Sequence, residues 1–76
     1  MGTAVIKQVI VELVRGGCRV ETLLYDPPAV TFRSPTGARR ALTTEADHFR
    51  LVPVEAPGEV LRFPTLREAL RAAIAA

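Results

Sequence analysis

The chain predicts an α+β fold: an N-terminal helix, an antiparallel sheet of three to four strands, and a C-terminal helix packed on the same sheet face. Three observations carry that prediction. Val5, Ile6, Val9, Ile10, Leu13 and Val14 recur at i, i+1, i+4, i+5, i+8 and i+9, the spacing of a helical stripe. In the middle, Val30 and Phe32 alternate with Thr31 and Arg33, which is the period of a half-buried strand. At the end, Leu66, Ala69, Leu70, Ala73 and Ile74 fall on one face of a second helix.

The first helix is expected over residues 4–15. Lys7, Gln8, Glu12 and Arg15 take its polar side, with Val11 projecting among them, and Gly16-Gly17 supplies the stop. The segment is rich in Val and Ile, so a strand turning at Gly16-Gly17 competes. That hairpin would set Glu12 directly opposite Glu21, a like-charge pair that costs stability. The helix fits both the period and the stop.

Arg19–Tyr25 reads as a strand with Val20, Leu23 and Tyr25 toward the core, broken by Asp26-Pro27-Pro28. Ala29–Arg33 follows as its hairpin partner, and Ser34-Pro35-Thr36-Gly37 is a further turn. Residues 38–54 allow two readings. Arg39–Leu42 is a candidate short third strand. Thr43 or Thr44 then starts a helix of one or two turns, with Glu45 and Asp47 in its first turn. Alternatively Phe49–Val54 is a strand that Pro53 confines to an edge. Ala56-Pro57-Gly58 turns into a strand over Glu59–Phe63. Helix 65–75 then opens on a capping box of Thr65 and Glu68.

Seventy-six residues make one domain, 1–76. A chain of this size buries only about 60% of its unfolded surface. Cys18 is the only cysteine, so no disulfide supports it, and a lone thiol without a secretory signal implies a cytoplasmic protein. The apolar N-terminal run is too short and too charged to span a membrane. Gly2 lacks the Ser or Thr that a myristoylation signal places where Ile6 stands.

The candidate chemistry is thin. One His and one distant Cys do not make a metal site. Gly16-Gly17 follows a helix, whereas phosphate-binding glycines precede one. No cofactor is expected, and the chain reads as a non-enzyme. Nine of the ten basic residues are Arg, and net charge is +2. Arg33, Arg39 and Arg40 surround the Ser34–Gly37 turn and are the candidate partner-binding residues. Arginine suits bidentate contact with carboxylates and phosphates. The four aromatic residues are expected mainly in the core, which leaves nucleic-acid binding as the alternative to protein binding.

Residues 5–47 resemble the small αββα docking domain at the N-termini of TubC-type synthetase subunits. The matching runs are Leu13-Val14-Arg15-Gly16-Gly17-Cys18-Arg19-Val20, Val30-Thr31-Phe32-Arg33-Ser34-Pro35-Thr36-Gly37 and Ala41-Leu42-Thr43-Thr44-Glu45. The resemblance implies a helix ending in Gly, two strands, a Thr-initiated second helix, and binding of protein segments through an exposed β-hairpin. The chain departs from that pattern by its added strand and closing helix. The order of elements is also similar to a double-stranded-RNA-binding domain, but only Arg67 stands where that family carries paired lysines. The expected role is a small non-catalytic protein-interaction or regulatory module, an accessory protein of a bacterium, phage or plasmid. It is expected to self-associate as a homodimer and to use the exposed sheet face.

Overall fold

The computed structural model describes residues 3–25 and 28–75. Helix α1 (Thr3–Arg15) leads into strands β1 (Arg19–Tyr25), β2 (Pro28–Arg33), β3 (Arg39–Thr44), β4 (Phe49–Pro53) and β5 (Leu61–Phe63), and helix α2 (Leu66–Ala75) closes the fold. Each strand pairs antiparallel with its sequence neighbour, so the sheet order is β1-β2-β3-β4-β5. The α+β fold class holds, with five strands rather than three to four. Of the turn at Asp26-Pro27-Pro28, Asp26 and Pro27 lie outside the described residues, as do Gly2 and the Tyr25 side chain.

Both helix ends follow from local chemistry. Gly17 N–H donates to Val14 C=O (3.0 Å) and Cys18 N–H to Leu13 C=O (2.9 Å), the paired bonds of a Schellman cap. Gly17 supplies the required left-handed residue at φ 89°. At α2, Thr65 Oγ1 accepts the Glu68 N–H at 3.2 Å, satisfying one orphan donor of the first turn. The Ser34–Gly37 turn closes with Gly37 N–H on Ser34 C=O at 2.9 Å and Gly37 at φ 94°. Ser34 is buried there, and its Oγ accepts from Ala38 N–H and bonds Thr36 Oγ1.

Residues 43–53 settle as strands, not as a helix. Thr44 ends β3, Glu45 N–H bonds His48 C=O across the turn, and Phe49 opens β4. The deciding contact is Leu42 opposite Leu51, both fully buried. Burying a leucine stabilises by roughly 1.5–3 kcal/mol, so the two together outweigh an N-cap of about 0.5–2 kcal/mol. Pro53 does not make β4 an edge. It is the last residue of the strand, and β5 pairs only with Phe49–Leu51, so its missing N–H is not called on there.

One core joins the two helices to one sheet face. Val9 and Leu13 from α1 and Ala69, Leu70 and Ala73 from α2 pack with Val30, Phe32, Leu42 and Leu51. Val14 is an exception to the expected stripe at 57% exposed, because the buried line of α1 runs through Ile6, Val9 and Leu13. No described helix is long and apolar enough to cross a membrane.

Candidate functional site

The opposite sheet face takes every residue that alternates away from the core. Strand register sorts them into three rows. The first row crosses Arg19, Arg33 and Arg39 and continues to Val54, whose N–H bonds Arg39 C=O at 3.0 Å. The second crosses Thr22, Thr31, Ala41 and Val52. The third crosses Leu24, Ala29, Thr43, Arg50 and Arg62. Among the described residues no element packs over this face, since both helices belong to the core on the other side.

A bulge in β1 places the one acid of the first row. Val20 pairs with Phe32 and Thr22 with Thr31, so Glu21 is the extra residue between them. It lets Val20 and Leu23, three residues apart, both turn inward. It also brings Glu21 beside two guanidiniums: Arg39 Nε donates to Oε1 at 3.0 Å, and Arg33 Nη2 lies 3.7 Å from Oε2. The hydrogen bond from Arg39 holds the Glu21 carboxyl below its ordinary pKa, with the charges of Arg39 and Arg33 adding to it. A depressed carboxylate contributes stability that is present above its ordinary pKa and lost as pH falls through the folded value. Glu21→Gln is therefore expected to lower stability modestly above about pH 4.5 and to converge on wild type as pH falls below it, which flattens the profile between. Urea midpoints taken from pH 2.5 to 7 would check this, and a difference from wild type that does not shrink as pH falls would refute it.

The structure brings Arg33 and Arg39 together as a register pair and separates Arg40 from them. Arg40 alternates to the core side of β3, opposite Phe32 and Pro53. It lines a shallow cleft of about 320 Å³ with Arg39, Pro53, Glu55 and Glu59, beyond the end of the helix-covered core. The turn-based view of the three arginines missed Arg19, Arg50 and Arg62, which share the outer face. Arg50 is paired with Glu45 at 2.7 Å, whereas no ion pair involves Arg19 or Arg62 among the described residues. The outer face thus holds five arginines against Glu21 and Glu45, an excess of three positive charges. Counting alternate positions outward from Arg33 would have found part of this. The bulge and the register of β4 carry the rest.

The other reactive groups sit elsewhere. Cys18 belongs to the core cluster, and burial pushes its thiol pKa up, which disfavours the nucleophilic thiolate. His48 Nδ1 bonds Asp47 Oδ1 at 2.8 Å in the β3–β4 turn. Among the described residues no group of three His, Cys, Asp or Glu is placed to hold a metal ion. No protein-family model, curated protein or solved structure matches the chain.

Proposed function

We propose that the protein is a small non-catalytic interaction module that binds a protein partner across the outer face of its sheet. The observation that carries this reading is the uncovered five-strand face with its excess of arginine. An antiparallel sheet with helices on one side can leave the other to water. A merely solvated face, however, gains nothing from setting like charges directly opposite one another, which is destabilising. Here Arg19 faces Arg33, Arg33 faces Arg39, and Arg50 faces Arg62. Glu21 and Glu45 offset part of that repulsion, and a partner bearing carboxylates relieves the rest.

Two copies stacked face to face would bury the arginines against arginine or against apolar side chains, with no added carboxylates to pair them, so the occupant of this face is a different protein. Self-association is left to other surfaces. Nucleic-acid binding shares the arginines but, among the described residues, lacks stacking platforms on this face, because Phe32, Phe49 and Phe63 all belong to or pack against the core. Affinity capture from the native host tests the reading. Wild-type protein is expected to retain a defined protein partner after nuclease treatment, and the Arg39→Glu/Arg62→Glu variant is expected to lose it. Retention by that variant, or loss on nuclease treatment alone, would sink the proposal.

A further inference from the structure

The charges on the outer face lie at two diagonal corners. Arg19, Arg33 and Arg39 cluster on β1–β3 at one end of the strands. Arg50 and Arg62 pair on β4 and β5 at the other. The remaining two corners are apolar, Leu24 on β1 and Val54 just past β4, at 48% and 40% exposed. Between them, Thr22, Thr31, Ala41 and Val52 form an uncharged middle row. The result is a diagonal apolar strip with arginines on both flanks.

The dimensions of that strip select a shape. Arg39 and Thr43 mark the two charged rows on β3, four residues apart, which is about 13 Å at 3.3 Å per residue. An α-helix with its side chains is about 10–12 Å across. From Leu24 to Val54 the strip crosses three strand spacings and four residues of length, about 19 Å in all. That is the length of about 13 helical residues at 1.5 Å each. Helices are among the elements that cover open sheet faces.

We propose that the outer face receives an amphipathic α-helix of a partner protein, its apolar stripe on the Leu24–Val54 strip and acidic side chains along both flanks. The proposal rests on the reading of this face as a protein-binding surface and adds the chemistry and shape of its ligand. The three to four turns of helix set Glu or Asp against Arg33 and Arg39 on one side and Arg62 on the other. Carboxylates there form the bidentate contacts that guanidinium geometry favours. Single-stranded nucleic acid would match the charge but not the apolar corners.

A display selection with the full chain and a random peptide library of 16 residues tests this. Enriched peptides are expected to repeat apolar residues at i, i+3, i+4 and i+7 with Glu or Asp on both sides. Their affinity for Arg39→Glu/Arg62→Glu and for Leu24→Ser should fall at least about tenfold, as for loss of contacts central to an interface. Thermal unfolding of both variants guards against misfolding: each is expected to unfold cooperatively, with Arg39→Glu/Arg62→Glu modestly lowered because it removes the Glu21 partner. Face-dependent peptides that are extended, basic or lack helical period would overturn the helix and leave the interaction module standing. Peptides insensitive to every outer-face substitution would overturn both. Displacement of the peptides by a single-stranded DNA 20-mer would assign the face to nucleic acid instead.

Discussion

Phe32→Ala is expected to destabilise the domain by about 3–5 kcal/mol. Phe32 is fully buried and is the largest side chain in the shared core. It stands on β2 between Val20 of β1 and Arg40 of β3, under the layer that both helices provide. Truncating a buried Phe to Ala typically costs about 3–5 kcal/mol, from lost burial and from the cavity left behind. A chain of 76 residues has a total stability of roughly 4–11 kcal/mol at 0.05–0.15 kcal/mol per residue. The loss therefore approaches the whole at the lower end of that range. Urea unfolding followed by far-UV circular dichroism would measure it. Val11→Ala is the control, at 46% exposed on the polar side of α1, and should stay within about 0.5 kcal/mol of wild type. Equal midpoints for the two variants would mean that Phe32 is not in the core.

Phe32 also shows why parts of this fold were legible in the sequence. Its alternation with Thr31 and Arg33 fixes its side of the strand without reference to any other segment, and the stripes of α1 and α2 are local in the same way. Residues 43–53 were not legible, because their signals conflict. Thr44 with Glu45 and Asp47 looks like a helix start, and Pro53 looks like an edge marker. What decides is the pairing of Leu42 with Leu51, a contact that exists only once β3 and β4 meet. The candidate site suffered from the same blindness. Arg33 and Arg39 are visible as neighbours of one turn. Arg62 reaches the same face only through the register of β5 on β4, and Glu21 only through the β1 bulge. Arg40 looked equivalent to Arg39 by position, yet one step along a strand reverses the face.

Gly16→Ala tests a contact that local reading assigned to capping alone. Gly17 is the left-handed residue of the cap, whereas Gly16 has no positive φ and could accept a side chain on backbone grounds. At such a position Gly→Ala ordinarily stabilises by about 0.4–1 kcal/mol through the unfolded state. The surroundings reverse the sign. A Cβ on Gly16 would lie 2.6 Å from both Cδ1 and Cγ1 of Ile74 and 2.8 Å from Cγ2. Because Cγ1 and Cγ2 branch from the Ile74 Cβ, moving both needs a χ1 rotation, which a β-branched residue in a helix resists. The last turn of α2 must therefore shift away from the end of α1. Overpacking of this kind costs about 1–3 kcal/mol. Ile74→Ala removes the obstacle, so the double variant Gly16→Ala/Ile74→Ala is expected to be more stable than the two single losses sum to. An interaction energy of about 1 kcal/mol or more is within the range for residues in contact. Gly17→Ala provides the contrast. Its cost, about 1–2 kcal/mol, comes from the left-handed backbone and should be the same with or without Ile74. Urea midpoints of these variants would separate the two causes. A stabilising Gly16→Ala in the wild-type background would show that α2 does not close over the end of α1.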